Sequence, residues 1–222
     1  MRGSSPVFGP AEAGPRRTLR RRLGIRLAAL MRWLHIYLSM FGLAVILFFS
    51  LTGVTLNHPD WFTSGAERSV EAEGTLNPGW LRPAPPAPPG QVVNKLEVVE
   101  HLRKAHGLRG ALAEFRVDEG ECLVSFKGPG YAADAFIDRG TGGYKLTETS
   151  HGWVAVVNDL HKGRDTGPVW SAVIDGSAVL MTVVSLTGLV LLFYLKLRRK
   201  PGLVITLVGA VAAVATFLAF VP

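Results

Sequence analysis

Residues 36 to 56, IYLSMFGLAVILFFSLTGVTL, hold 21 consecutive positions without a charged side chain. At about 1.5 Å per residue, a helix of that length crosses the roughly 30 Å hydrocarbon layer of a membrane. Within that layer a lone segment satisfies its backbone only as a helix, so the run predicts a transmembrane helix. Residues 176 to 195 and 202 to 222 repeat the pattern, separated by the basic turn Lys196-Leu197-Arg198-Arg199-Lys200-Pro201. These predict a second and a third span joined as a hairpin. The apolar share of 48% and the mean hydropathy of +0.27 agree.

The net charge of +7 would suggest nucleic acid if the basic residues shared one folded surface. They do not. Eight Arg (2, 16, 17, 20, 21, 22, 26 and 32) precede the first span against one acid, Glu12, and the hairpin turn adds four Lys/Arg and no acid. Both segments therefore belong in the cytoplasm, at +11 together, while residues 58 to 169 carry 12 Lys/Arg against 15 Asp/Glu, or −3. Membrane lipid is the expected partner and nucleic acid is not. The apolar run outlasts a signal peptide's core of about 7 to 15 residues and ends without a small-x-small cleavage site, so it reads as an uncleaved anchor. Trp33 marks its inner border, and Trp61, Trp153 and Trp170 fall at outer-interface positions. The first 24 residues, rich in Gly, Ser, Pro and Arg, read as a disordered arm.

Between the first two spans lies an external segment. NPGWLRPAPPAPPG (77 to 90) predicts an extended polyproline-type spacer. QVVNKLEVVEHLRKAH (91 to 106) predicts an amphipathic helix with Val92, Leu96, Val99 and Leu102 on its apolar face and Gly107 as its stop. Ala113 to Val117, Glu121 to Lys127, Tyr131 to Asp138 and Tyr144 to Thr147 read as strands separated by glycine-containing turns, which predicts a helix on a small antiparallel meander. Alternation along the second strand assigns Cys122 to the core. His101 and His106, five apart and about 140° around their helix, read as solvated surface residues.

The fold class is thus an α-helical integral membrane protein with three transmembrane helices and a small α+β external domain. Its divisions are a basic arm (1–32), the first span (33–57), a linker (58–90), the α+β domain (91–148), an interfacial helix and turn (149–169), the second span (170–195), a turn (196–201) and the third span (202–222).

One Cys excludes an internal disulfide, a multi-thiolate zinc site and a cysteine-held iron-sulfur cluster. GxGxxG and GxxxxGK[ST] are absent, so a nucleotide or flavin would be bound by a partner. No HExxH or Ser/His/Asp constellation supports a hydrolase. Ionisable residues in or beside the membrane are costly, which makes His35, the set His58, His151 and His161, and Asp175 the candidate site residues. Each has a plainer alternative: an interfacial imidazole at His35, a helix-end cation at His58, a wet surface at His151 or His161. For Asp175 the choice is between orienting a ligand histidine and pairing with Arg164. SLTG occurs at Ser50 to Gly53 and again at Ser185 to Gly188, a pattern that favours close helix packing.

RWLHIYLSMFGLAVILFFSLTGVTLNH, AFIDRGTGGYKLTET, HGWVAVVNDLHKGRDTG and WSAVIDGSAVLMTVVSLTGLVLL, in that order, resemble the PepSY-associated transmembrane-helix (PepSY-TM) family of bacterial inner-membrane proteins. The resemblance covers roughly residues 26 to 199, and it implies a PepSY-like external domain in the periplasm. Longer relatives include ferric-siderophore reductases that hold b-type haem through membrane histidines. By resemblance, this chain is expected to bind haem b and pass electrons from a flavoprotein or quinol donor toward a periplasmic ferric chelate, in iron uptake. His35 and His58, about 34 Å apart on one straight helix, cannot share an iron, and neither can His151 and His161, about 15 Å apart. The haem is then expected between His58 and His161, with His151 in place of His161 as the alternative, and a homodimer is the means of giving His35 a partner. The competing expectation is a non-catalytic membrane protein whose PepSY-like domain binds peptides or regulates a protease.

Overall fold

The computed structural model describes residues 15–62, 67–82 and 93–222. The chain forms two compact units, Val45–Gly176 on one side and Met1–Ala44 with Ser177–Pro222 on the other.

In the unit Val45–Gly176 the main feature is an antiparallel sheet of β1 (Arg68–Thr75), β2 (Ala111–Val117), β3 (Glu121–Gly128), β4 (Tyr131–Asp138) and β5 (Gly143–Ser150). Its order is β1-β5-β4-β3-β2. Strands β2 to β5 form the expected meander, with Cys122 opposite Ile137 and Val124 opposite Ala135. The first strand was not expected. It lies in the segment read as a linker and pairs along β5 from Arg68↔Ser150 to Thr75↔Gly143. Its sequence, RSVEAEGT, has little apolar alternation because it is an exposed edge, so the register comes from the backbone of β5.

The polyproline reading also fails at its start, since Pro78–Leu81 is a helical turn, α3. Asn77 caps it by accepting from the Gly79 N–H at 2.9 Å, Pro78 suits the first turn, and Leu81 is fully buried. Residues 83 to 90 of that spacer lie outside the described residues.

Helix α4 (Lys95–His106) ends as expected at Gly107, whose φ of 66° is left-handed. Of its expected face Val99 and Leu102 are buried and Leu96 is not, while Val92 lies outside the described residues. Val98, Val99 and Leu102 enter the core with Val124, Phe126, Ala135, Ile137 and Leu146, while Leu96 is 68% exposed. Each fully buried aliphatic side chain contributes about 1.5–3 kcal/mol. Cys122 is buried in this core, and burial pushes its thiol pKa up.

His101 and His106 are half-buried rather than solvated. His106 Nε2 lies 2.7 Å from Tyr144 Oη, and the His101 ring tilts against Trp80 at 5.5 Å. The buried Tyr144 sits between the two positions, so one aromatic ring serves both.

Helix α5 (Trp153–Lys162) ties the sheet to the end of the first apolar helix pair. Asp159 Oδ2 accepts from the Gly130 N–H at 2.8 Å, in the turn between β3 and β4. That glycine has φ of 63°, and a Cβ there would come within 2.6 Å of Val156 Cγ2.

The apolar helices are α1 (Pro15–Phe41), α2 (Leu43–Asn57), α6 (Gly167–Tyr194) and α7 (Arg199–Phe220). Helices α6 and α7 are each long and apolar enough to cross a membrane. The stretch expected as one straight span is instead a broken pair, Arg22–Phe41 and Leu43–Asn57, bent by 58°, which brings the number of spans to three if the pair crosses as one. The break falls at Gly42, where a Cβ would lie 2.7 Å from Leu180 Cδ2. Glycine permits that approach and weakens the helix at the same point. From Pro15 the basic arm is helical, contrary to the disordered reading; residues 1–14 lie outside the described residues. Helix α7 likewise starts at Arg199, inside the segment read as a turn.

Candidate functional site

Helix α2 presents Thr52 and Thr55 at a three-residue step, and α5 presents Asn158 and His161 at the same step, so each pair lies on one helix face. The faces meet in two polar rungs. Thr55 Oγ1 donates to Asn158 Oδ1 at 2.6 Å, and Thr52 Oγ1 lies 2.5 Å from His161 Nδ1. With the Thr52 hydroxyl proton directed to the Phe48 carbonyl at 2.7 Å, the Nδ1–H of His161 is the donor to the threonine oxygen. The imidazole is thereby fixed as the tautomer whose Nε2 carries the lone pair. Phe49 meets the ring edge-on at 4.9 Å. Burial first, and the Lys162 ammonium second, hold His161 below the ordinary 6.5, which keeps the ring neutral at pH 7.

The other unit contains a second arrangement of the same kind. His35 of α1 places Nδ1 3.0 Å from the Val184 carbonyl oxygen and 3.1 Å from Thr187 Oγ1, both on α6. A carbonyl only accepts, so here too Nδ1 bears the hydrogen, and in the neutral form of the ring Nε2 is the atom with the lone pair. Gly188 follows Thr187, and a Cβ on it would lie 3.0 Å from His35 Cε1.

The remaining candidates are placed differently. His58 stacks flat on Trp61 at 3.9 Å, and its Nε2 accepts from the Asn57 side-chain amide at 3.1 Å. It lies six residues beyond Thr52, about 9 Å along the chain's helical path. Among the described residues no ring contact joins His58 to His161. His151 is exposed before α5, its backbone N–H donating to the Gly130 carbonyl at 2.9 Å. Asp175 is exposed on α6, and Arg164 faces Asp159 at 4.0 Å instead of Asp175. His58 and His161 thus keep separate ring partners, Trp61 and Phe49.

Sequence reasoning missed Thr52, Asn158, Thr187 and Gly188 as site residues. The repeated SLTG was visible, as was Leu-His at 34–35 and at 160–161, but not that the two repeats meet.

The donor set suits a haem iron at His161 and at His35, where each imidazole is oriented through Nδ1 and would offer Nε2 to the metal. It does not suit a multi-carboxylate or thiolate metal centre, and no group of three or more His, Cys, Asp or Glu gathers among the described residues. A separate open groove of about 840 Å³ lies at one end of the sheet, with Glu73, Asp118, Glu121 and Asp138 around Phe136. There the Thr141 backbone N–H, and then its hydroxyl, hold the Asp138 carboxyl below the usual range.

Apolar helices of spanning length with an antiparallel sheet domain define a membrane-associated protein of mixed architecture. Residues 29–222 match the family described as "Putative PepSY_TM-like", and the chain belongs to that family. No curated protein and no solved structure matches the chain.

Proposed function

We propose that this protein is a haem b-binding electron-transfer subunit of the bacterial inner membrane, serving periplasmic ferric-chelate reduction in iron uptake. The observation that carries the reading is the pair of imidazoles, His161 and His35, each held at Nδ1 by a residue of a neighbouring helix. Haem would supply a reversible one-electron couple that the side chains of this chain lack. The protein's own residues prepare its binding. Thr52 and the Val184 carbonyl orient the rings, Phe49 walls the outer one from water, and Asn158 keeps α5 against α2. Each arrangement offers one imidazole per chain, so the same histidine of a second copy would complete the pair that holds the group. The +11 against −3 charge division supports a cytoplasmic N-terminus and a periplasmic sheet domain, with a flavoprotein or quinol as donor.

The test is the visible spectrum and pyridine-haemochrome content of the full chain purified from haem-replete cells. A Soret band with split α and β bands is expected, reduced in His161→Ala and in His35→Ala and unchanged in His101→Ala. A colourless protein, or full haem in both variants, would overturn the reading. The groove around Phe136 favours a second reading, peptide binding by the external domain, and a haem-free chain that binds basic peptides would support it.

A further inference from the structure

Four short segments follow one another along the chain: Leu34-His35, Ser50 to Gly53, Leu160-His161 and Ser185 to Gly188. They meet crosswise. The first histidine reaches the second SLTG, 152 residues away at Thr187, and the second histidine reaches the first SLTG, 109 residues away at Thr52. Each meeting is completed within one compact unit. In both, the threonine hydroxyl lies within hydrogen-bond distance of Nδ1 while also bonded to a carbonyl of its own helix, Phe48 for Thr52 and Val183 for Thr187. In both, the following glycine has the imidazole Cε1 as its nearest neighbour, at 4.0 Å from a Cβ built on Gly53 and 3.0 Å from one on Gly188. Ordinary helix packing explains one small-residue contact, but it does not explain the same atom meeting the same motif twice.

We infer that the two Ser-Leu-Thr-Gly segments are copies of one imidazole seat, in which the threonine is a positioning residue and, in the second copy, the glycine makes room for the ring. The seat sets the Nδ1–H tautomer before any ligand arrives and so determines that Nε2 is the atom offered to a metal centre. That last role rests on the haem reading; the tautomer itself does not. A free neutral imidazole prefers hydrogen on Nε2, so the seat reverses the ordinary balance. The two copies differ in a way that can be read out. His161 depends on Thr52 alone among the described acceptors, whereas His35 also has the Val184 carbonyl.

The experiment is nitrogen NMR of the haem-free full chain, labelled at histidine nitrogen, in detergent micelles at pH 8. The wild type is expected to show two imidazoles with hydrogen on Nδ1, assigned by His35→Gln and His161→Gln. Thr52→Val should return His161 to the ordinary Nε2–H form, Thr52→Ser should retain the seated form, and Thr187→Val should leave His35 seated on Val184. Gly188→Ala should displace His35 and Gly53→Ala should be tolerated, in line with the 3.0 and 4.0 Å approaches. Haem titration adds a second readout, with a loss of affinity of about 10- to 100-fold in Thr52→Val and recovery in Thr52→Ser. Circular dichroism and gel filtration of each variant show whether it folds, and Thr52→Ser provides a folded comparison if Thr52→Val does not. Wild-type imidazoles with hydrogen on Nε2, or a Thr52→Ser chain that is folded but unseated, would overturn the inference. A seated His161 in a chain that binds no haem would leave the seat standing and overturn the haem reading instead.

Discussion

Neutrality of His161 comes first from its burial and second from its sequence neighbour Lys162. Desolvation by Phe49 and the α2 backbone holds the folded ring below 6.5, so the unfolded chain binds a proton more readily than the folded one. The stability that follows from this site is complete above pH 6.5 and is lost as pH falls from there through the lower folded value. Protonation occupies Nε2, so ligating capacity is lost with it, while the Nδ1–H still faces Thr52 Oγ1. The thermal midpoint of the haem-free chain in detergent is expected to fall between pH 7.5 and 5.5, and His161→Gln should flatten that part of the profile. An unchanged slope in the variant would mean that another group carries the pH dependence.

At the scale of elements, α5 is the part that joins chemistry to fold. One end of its hydrogen bonding goes to the sheet, through Asp159 and Gly130, and the other to α2, through Asn158 and His161. Gly130→Ala would force a side chain into a left-handed backbone and against Val156, at a cost of about 1–3 kcal/mol. Gly120→Ala, where a Cβ meets nothing within 4 Å, should stay within about 0.5 kcal/mol. A thermal denaturation series on both variants checks this, and equal midpoints would show that α5 is not held by the hairpin.

The same elements explain what the amino-acid sequence disclosed. The apolar helices, the meander from β2 to β5 and the burial of Cys122 follow from local periodicity and were legible. Strand β1 was not, since an exposed edge needs backbone pairing and little apolar content. Nor was the break at Gly42, which depends on Leu180 arriving from a distant helix. The candidate histidines were visible as costly residues near a membrane. Their true neighbours were hidden because a threonine 109 or 152 residues away leaves no local mark. Only the recurrence of SLTG and of Leu-His hinted at a pairing.

For the whole molecule, the central claim is that electrons cross the membrane through this protein when it carries haem. The chain combines helices of spanning length, two histidines held through Nδ1 and an antiparallel sheet domain. The direct measurement uses sealed lipid vesicles containing the purified full chain, with ferricyanide trapped inside and dithionite added outside. Haem-loaded wild-type vesicles are expected to bleach the trapped ferricyanide at least about ten times faster than protein-free vesicles, and His161→Ala or haem-free vesicles should match the protein-free rate. Bleaching no faster than in protein-free vesicles, from a chain shown by its spectrum to hold haem, would contradict the account.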